Sequence, residues 1–542
     1  MRLGQLNNGQ LTASQSNSIS FNCVQRVDLT NALDTDADGI DDVYELQYFN
    51  PLNPADASQD LDSDQISNLD EYQYGKDPTQ ADPATILSSS SPAHGEQNIA
   101  VTRETIVYFS NPLATNSLVN TNTFYAQFGG QAITGRVHIS ADRQRATIFY
   151  DQNLPASAAI RVFLNGNNLK DVWGRDIDID IDSDGTPGGL FEAELRTVTL
   201  TVVSNTVVFG RVFASELQLV NGSNEWVNVP LEGVTITVDG KESELNATTD
   251  SLGDFRLENT PVGAFFVHVN GTTVSNSMTT NGYYPNVSKL WTTVATQELN
   301  IGNVYLPLVT TGTLEPVSTS NATVISFPDS VISNNPSFAD VTITIPAGSL
   351  QNNDGSSGTQ VGIAPVDPDR LPGQLPASLN FPLVITVQAD APNFDTPAPV
   401  CFPNLPNPGE TNVLPPGAKT ALWSFDHDAG HWIVVGSMTI DATGLLACSD
   451  EGVGILAPGW HAVQQGSTGG GGTIDPDNPN NEPPCTGPGC DCENSDTDPV
   501  YLFSGEQYLP VTDLTIKGRG MDFVWGRKYR SKIGPDTVMG NG

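Results

Sequence analysis

The chain has 542 residues, which at roughly 100–200 residues per domain indicates about three to five domains. Its 23 Lys and Arg residues stand against 62 Asp and Glu residues, so the formal net charge is -39. This charge repels phosphate backbones and anionic lipids, so it disfavours nucleic acids and membrane surfaces as partners and favours cations. Gly (50) and Pro (38) break long helices, and no apolar run is long enough to span a bilayer.

Changes in composition divide the chain into seven segments, which are residues 1–27, 28–84, 85–200, 206–312, 318–465, 466–498 and 499–542. We expect the polar first segment to be disordered and the sixth to be a Gly/Pro/Asp linker. The third, fourth and fifth segments alternate apolar and polar residues over short runs between turn residues, which is typical of β-sandwiches. The predicted fold is therefore mostly β, a multidomain string of sandwiches preceded by a small acidic segment.

Two acidic loops in the second segment share one pattern. The first runs from Asp34 to Glu45 and the second from Asp60 to Glu71. Both place carboxylates at positions 1, 3 and 5, an oxygen ligand at position 9 and Glu at position 12. Ca²⁺ takes six to eight oxygen ligands, and the carbonyl at position 7 supplies another one. The predicted metal ligands are Asp34, Asp36, Asp38, Ile40, Asp42 and Glu45 in the first loop and Asp60, Asp62, Asp64, Ile66, Asn68 and Glu71 in the second.

Position 6 differs between the loops. Gly39 permits a sharp turn, whereas Gln65 replaces Gly, so we predict that the second loop binds more weakly. The hydrophobic residue stands at position 7 rather than position 8 as in an EF-hand. With the following run from Leu69 to Pro78, this pattern resembles bacterial thrombospondin-type-3-like repeats, which implies bound Ca²⁺. The alternative, a solvated acidic linker, is disfavoured by two aligned copies.

A third acidic stretch, from Asp176 to Asp184, alternates Asp and Ile and has two interpretations. Strict alternation favours a strand with one charged face. Its end, from Asp180 to Asp184, also carries enough carboxylates to hold a cation.

The three predicted sandwiches resemble modules of bacterial surface proteins. Residues 85–200 resemble a bacterial Ig-like domain through Ser90-Ser91-Pro92 and Phe109-Ser110-Asn111-Pro112-Leu113. Residues 206–312 resemble the carboxypeptidase regulatory-like module, a transthyretin-like sandwich, through the run from Thr248 to Gly263. That module does not bring catalysis with it.

The last sandwich and the end of the chain carry two further resemblances. Residues 318–465 resemble a ZU5-like sandwich through the run from Val341 to Leu350. Residues 499–542 resemble the β-rich domain that precedes the repeats of RHS/YD-repeat proteins, through Thr512-Asp513-Leu514 and the Arg-x-Tyr-x-Ser run that starts at Arg527. This implies a longer protein in which a downstream RHS shell follows, so we expect the chain to be its front portion.

Cysteine, histidine and tryptophan give weaker signals. Six Cys are too few for a disulfide-built scaffold, and the Cys485, Cys490 and Cys492 group favours a linker disulfide over a metal or redox site. His427 and His431 flank a predicted hairpin turn. They are therefore not expected to lie on one face of a helix, where such a pair could bind zinc. We expect three tryptophan side chains to pack in a core rather than to form an aromatic surface for sugar binding. They are Trp423, Trp432 and Trp460.

These patterns predict a non-enzymatic, calcium-stabilised stalk of a secreted bacterial RHS-type protein at the cell surface. No Gly-x-Ser-x-Gly, His-Glu-x-x-His or P-loop motif occurs in the chain. No signal sequence is visible at the N-terminus. The expected partners are calcium ions and a cell-surface glycan or protein. The alternative is an accessory carbohydrate-binding region of an extracellular hydrolase. A glycosidase stays open as an interpretation because its paired catalytic carboxylates form no recognisable sequence motif.

Overall fold

The computed structural model describes residues 34–50, 53–179, 187–219, 225–275, 282–371, 381–406 and 411–464, together with the backbone of five strands outside these ranges. The chain divides into two compact units, Met1–Ala84 (unit 1) and Thr85–Gly542 (unit 2). The expected disorder of residues 1–27, the linker at 466–498 and the cysteine group at 485–492 lie outside the described residues, apart from two short strands near the N-terminus.

Unit 1 is built around two short helices, each placed directly after an acidic loop. Asp41 begins the first helix by accepting hydrogen bonds from the Val43 and Tyr44 N–H groups, and Ser67 begins the second by accepting from Asp70 N–H. Gly75 ends the second helix in the left-handed conformation. The elements of unit 1 are β1 (Gln5–Asn7), β2 (Gln10–Thr12), α1 (Asp42–Tyr48) and α2 (Asn68–Tyr74).

The first sandwich of unit 2 has a five-stranded sheet in the order β4-β11-β10-β6-β7 and a four-stranded sheet in the order β3-β5-β9-β8. Its strands are β3 (Leu87–Ser91), β4 (Gln97–Ile99), β5 (Thr105–Phe109), β6 (Phe124–Phe128), β7 (Gln131–Ile133), β8 (Gly135–Ile139), β9 (Arg145–Tyr150), β10 (Ala159–Asn165) and β11 (Leu190–Thr197). Ile177 and Ile179 of the Asp/Ile stretch are buried in its core, but Asp178 between them is buried as well, so the predicted solvated charged face is not formed at that position. Residues 180–186 of that stretch lie outside the described part, so its cation interpretation stays a prediction.

The second sandwich packs β12, with its partners β13, β16 and β20, against the sheet β15-β14-β17-β19. A short 3₁₀ helix, Gly271–Thr273, follows β17. The strands are β12 (Val207–Leu219), β13 (Trp226–Pro230), β14 (Thr235–Val238), β15 (Asn246–Thr248), β16 (Asp254–Glu258), β17 (Gly263–Asn270), β18 (Gly282–Tyr283), β19 (Asn286–Thr293), β20 (Glu298–Leu306) and β21 (Val309–Thr310).

The third module holds a ten-stranded sheet in the order β22-β26-β27-β33-β30-β31-β32-β29-β24-β23. The structure confirms that His427 and His431 lie at a hairpin turn, which joins β30 to β31. The elements are β22 (Glu315–Pro316), β23 (Thr323–Ser326), α3 (Asp329–Ile332), a 3₁₀ helix (Pro336–Phe338), β24 (Thr342–Ile345), β25 (Leu350–Gln351), β26 (Gln360–Val366), β27 (Val384–Ala389), β28 (Asn393–Phe394), β29 (Val400–Pro403), β30 (Lys419–Asp426), β31 (His431–Ile440), β32 (Leu446–Ser449) and β33 (Gly459–Gln464).

Two further features complete unit 2. Cys401 of β29 and Cys448 of β32 form a disulfide across neighbouring strands, a pairing that the sequence analysis did not anticipate. At the C-terminus the strands are β34 (Val500–Tyr501), β35 (Glu506–Ile516) and β36 (Phe523–Arg530). The predicted mostly-β, multidomain sandwich fold is confirmed. Within the described part of the chain, no helix has the length and apolar character needed to cross a bilayer.

The three modules of unit 2 share contacts beyond their own cores. One apolar cluster joins the second module to the third, where Trp423, Trp432 and Trp460 are buried with Phe265 of β17. This is the expected core role of the three Trp residues. Val101 of the first module belongs to the same cluster. The modules are therefore packed side by side as well as joined through the chain.

Polar contacts fasten the first module to the third through Asp395. Its Oδ1 lies 2.7 Å from His138 Nε2, and its Oδ2 accepts a hydrogen bond of 3.0 Å from Ala141 N–H. The Arg145 guanidinium donates to the backbone carbonyls of Phe394 (3.0 Å) and Asp395 (2.5 Å). The Asp395 side chain is only 8% exposed, and removing it leaves the His138 ring and the Ala141 N–H without this partner.

Replacing Asp395 with Ala is expected to lower the free energy of unfolding of unit 2 by about 1–3 kcal/mol, since its donors lose their partner. Chemical denaturation followed by tryptophan fluorescence measures this change. The exposed Asp340 of the same module gives the matched control, because Asp340→Ala is expected to change stability by less than about 0.5 kcal/mol. Equal effects of the two substitutions would contradict the fastening role of Asp395.

Candidate metal centres

The two acidic loops fold in the same way. Each residue of the second loop lies 26 positions after its counterpart in the first. Asp34 accepts hydrogen bonds from Ala37 N–H (2.7 Å) and Gly39 N–H (3.0 Å). The counterpart of Asp34, Asp60, accepts from the N–H groups of Ser63 (2.6 Å) and Gln65 (2.8 Å). These bonds turn each loop back on itself, so that the carboxylates at positions 3 and 5 meet.

Position 6 adopts the left-handed conformation in both loops. The φ angle is 99° at Gly39 and 76° at Gln65. Glycine takes this conformation without steric cost, whereas a residue with a Cβ atom is destabilised by roughly 1–2 kcal/mol. The strain at Gln65 supports the prediction that the second loop is the weaker one.

The first loop places four carboxylates together, and we name this group cluster 1: Asp36, Asp38, Glu45 and Asp56. One oxygen from each lies within 4.8 Å of the others. Both oxygens of Glu45, Oδ2 of Asp38 and Oδ1 of Asp56 are buried and accept no hydrogen bond from any described residue. Buried carboxylate oxygens are normally hydrogen-bonded, so this donor set fits a hard cation such as Ca²⁺.

The charge state of cluster 1 reflects the same crowding. Burial, together with the negative charges of Asp36 and Asp38, raises the pKa of Glu45 to about 7. Burial and the charge of Asp38 also raise the pKa of Asp36. A divalent cation among these groups would favour their ionised forms.

The second loop builds a matching group, cluster 2: Asp60, Asp62, Asp64, Glu71 and Asp82. Oxygens of Asp60, Asp62 and Asp64 lie within 4.8 Å of one another, and so do oxygens of Asp64, Glu71 and Asp82. Within the described residues, both Glu71 oxygens and Oδ2 of Asp62 are buried without a hydrogen-bond donor. Burial, followed by the charges of Asp62 and Asp64, raises the pKa of Glu71 to about 7.

Several predicted ligands lie outside these clusters. Asp34 is occupied by the turn hydrogen bonds described above. Asp42 accepts from Thr35 N–H at 2.8 Å and from Thr35 Oγ1 at 2.6 Å. The side chains of Ile40 and Ile66 are fully buried, and ligation by their carbonyls stays a prediction.

The residue at position 9 of the second loop has a similar structural role. Asn68, the counterpart of Asp42, accepts a hydrogen bond from Leu61 N–H at 3.2 Å. Leu61 corresponds to Thr35, so position 9 holds the backbone of position 2 in both loops. Ligation by Asn68 and Asp42 is thus not needed to explain why these residue types occur there.

Asp56 and Asp82 are cluster members that the sequence analysis missed. Each lies 11 positions after the Glu that closes its loop, outside the twelve-residue pattern. Asp82 N–H donates to Asp64 Oδ2 at 2.7 Å, and Lys76 Nζ lies 3.0 Å from Asp82 Oδ1. The 26-position offset between Asp56 and Asp82 is the signal that could have identified them.

A second concentration of titratable groups lies in unit 2, around a cavity of about 200 Å³ between the first and third modules. Glu104 comes from the first module, and Asp426 and Asp428 come from the β30–β31 turn. Burial and the charge of Asp426 raise the pKa of Glu104, which Arg103 opposes. Burial and the charge of Glu104 raise the pKa of Asp428 well above its ordinary range. Deprotonation of these carboxyl groups therefore opposes packing of the two modules.

Comparisons with known proteins identify two segments of the chain. The profile of a bacterial Ig-like domain matches residues 81–181, which confirms the predicted Ig-like module. A domain of unknown function, DUF6531, matches residues 497–542. No curated protein matches the chain.

Solved structures give only distant similarity. The N-terminal part of the bacterial S-layer protein SbsC is 16% identical over 40% of this chain and 46% of that chain, with a TM-score of 0.19. Domains 1–6 of SbsC are 12% identical over 73% of this chain and 54% of that one, with a TM-score of 0.18. The major pilin subunit BcpA of Bacillus cereus is 9% identical, covers 42% and 71%, and has a TM-score of 0.14. The chain spans about half the length of the two SbsC structures, and at these scores the similarities carry no functional argument.

The stability of unit 2 is expected to fall as the pH rises above about 6.5, because Asp428 binds its proton more tightly in the folded than in the unfolded state. Below that pH, burial lowers the pKa values of His427 and His461 in the same cavity, and these groups act with the opposite sign. Asp428→Asn removes this ionisation, so its melting temperature should depend less on pH and should exceed that of the unchanged chain at pH 8. Calorimetry at several pH values with excess calcium tests this. A wild-type melting temperature that rises with pH above about 6.5 would contradict it.

Proposed function

We propose that this chain is a calcium-stabilised, non-enzymatic presentation region of a secreted, surface-exposed bacterial protein of the RHS type. The observation that carries the proposal is the pair of carboxylate clusters, in which fully buried Glu45 and Glu71 have no hydrogen-bond donor among the described residues. Cations at these points would balance the charge and complete the folding of unit 1.

The extracellular location has two supports. The Ig-like module belongs to a family that is named for bacterial Ig-like domains. The Cys401–Cys448 disulfide is of a kind that persists in oxidising compartments. Millimolar calcium outside cells also suits exposed loops of modest affinity.

The RHS assignment rests on the C-terminal segment. The domain that matches residues 497–542 is found in RHS/YD-type proteins. In such a protein the sandwiches would space or present a downstream RHS shell and could contact a cell-surface glycan or protein. The packed modules of unit 2 suit this passive role, because their shared cores and the Asp395 contacts hold them in fixed positions.

Titration of the full chain with CaCl₂ in a calorimeter tests the metal claim. We expect about two sites, with Glu45→Gln and Glu71→Gln each weakening its own site by at least roughly tenfold. Each occupied site should stabilise unit 1 by about 2.7 kcal/mol when free calcium is 100-fold above its Kd. Calcium should also protect unit 1 from proteolysis.

The exposed Glu451 of unit 2 provides the control, since Glu451→Gln should leave both sites unchanged. Melting of unit 2 should be the same in every variant, because its cores are separate from the clusters. No heat and no proteolytic protection on adding calcium to the unchanged chain would refute the metal claim. Turnover of polysaccharides or peptides by the purified chain would refute the non-enzymatic claim.

A further inference from the structure

Asn68 makes contacts that lead from cluster 2 to cluster 1. Its side chain is 1% exposed, and its Nδ2 donates a hydrogen bond of 2.7 Å to the backbone carbonyl of Asp56. Its own N–H donates to the Gln59 carbonyl at 2.7 Å, and Leu69 N–H donates to the Ala57 carbonyl at 3.0 Å. Three hydrogen bonds thus attach the segment that carries Asp56 to the start of α2.

The residue type at position 9 fits this contact. Asp42, at the same position of the first loop, accepts hydrogen bonds from Thr35 but has no group that can donate one. Asn68 keeps the corresponding acceptor bond, to Leu61 N–H, and adds the donor that reaches Asp56. An amide, unlike a carboxylate, performs both roles at once.

We infer that Asn68 couples the two clusters, so that a cation in cluster 2 strengthens cation binding in cluster 1. This inference rests on the proposed function, because it assumes that both clusters bind calcium. Asp56 contributes a carboxylate oxygen to cluster 1, and its backbone is held by a residue of the second loop. Asn68 is a positioning residue in this scheme rather than a ligand.

The coupling follows from the cost of ordering the Asp56 segment. Without a cation, the carboxylates of cluster 2 repel one another, which favours looser arrangements of the second loop. A cation there fixes the loop, and with it Asn68 and the Asp56 carbonyl. Cluster 1 then receives its outer carboxylate already in position, so that less conformational entropy is lost on binding. By linkage, a cation in cluster 1 strengthens binding in cluster 2 by the same factor.

Packing between the loops does not depend on the Asn68 donor. Leu69 lies against Gly39, where an added Cβ would come within 3.2 Å of Leu69 Cδ1. The rings of Tyr44 and Tyr72 lie 4.9 Å apart, and the Tyr44 hydroxyl donates to the Lys76 carbonyl at 3.1 Å. A substitution that removes only the donor should therefore leave the two helices packed together.

Calcium titration of the full chain and its single-site variants tests the coupling. Glu45→Gln reports the affinity of cluster 2 alone, and the double variant Asp62→Asn with Glu71→Gln reports that of cluster 1 alone. We expect cluster 1 to bind more weakly in this double variant than in the unchanged chain, by a factor of roughly 5–150.

Asn68→Asp keeps the acceptor for Leu61 N–H and removes the donor to Asp56. In this variant, cluster 1 should lose most of the factor that cluster 2 supplies, and by linkage cluster 2 should lose the same factor when cluster 1 is occupied. With cluster 1 disabled by Glu45→Gln, cluster 2 gains a negative charge from Asn68→Asp and should not weaken. Disabling cluster 2 in the Asn68→Asp background should then have little further effect on cluster 1. Glu451→Gln, at an exposed position of unit 2, is the control and should leave the coupling unchanged.

The outcomes separate the two claims. Suppose that both clusters bind calcium and that the calcium affinity of cluster 1 stays the same when cluster 2 is disabled. This result would overturn the coupling and leave the proposed function intact. Weakening of cluster 2 by Asn68→Asp in the Glu45→Gln background, where cluster 1 cannot contribute, would show a merely structural role and would also overturn it. Absence of calcium binding in the unchanged chain would overturn both the coupling and the proposed metal function.

Discussion

Buried carboxylates without a counter-charge are the constraint on which unit 1 depends. Among its described residues, the buried apolar side chains are only Ile40, Ala57, Ile66 and Pro78. So small an apolar core cannot offset the conformational entropy that folding costs in a segment of this length. The interior of the unit consists largely of carboxylate clusters around the buried Glu45 and Glu71, whereas a larger domain would bury apolar side chains. Folding of the unit is thus tied to whatever neutralises those clusters, which is how small metal-binding domains are stabilised.

Unit 2 is held together by different means. Its modules have apolar cores of their own, and one of these cores extends across the boundary between the second and third modules. The first module reaches the third through a few polar contacts, with Asp395 receiving donors from two positions of the earlier sandwich. Residues more than 250 positions apart in sequence are therefore fixed against each other. Modules that are fixed against one another in this way suit the proposed presenting role.

The sequence predicted the parts of the structure that local patterns encode. The spacing of acidic residues located both loops and the glutamates that close them, whereas the Asp/Ile alternation predicted the burial of Ile177 and Ile179 but not that of Asp178 between them. Contacts between distant positions were not predictable in this way. Asp56 lies beyond the loop that it joins, and Cys401 pairs with a residue 47 positions away. Which distant residues meet depends on how the chain between them folds. The spacing of nearby residues gives no information about that.

The residue at position 9 was predicted from the sequence to be a metal ligand. In the structure its side-chain oxygen accepts a hydrogen bond from the backbone. An oxygen at that position satisfies a metal-binding pattern whether it faces the ion or the backbone. In both loops the oxygen accepts the N–H of position 2, a hydrogen bond within the loop itself. The side chains of Glu45 and Glu71, in contrast, are buried and have no described donor, so no structural bond explains their burial. Their raised pKa values mean that protons and cations compete for the same oxygens, and calcium should therefore bind more tightly as the pH rises towards 7 and above.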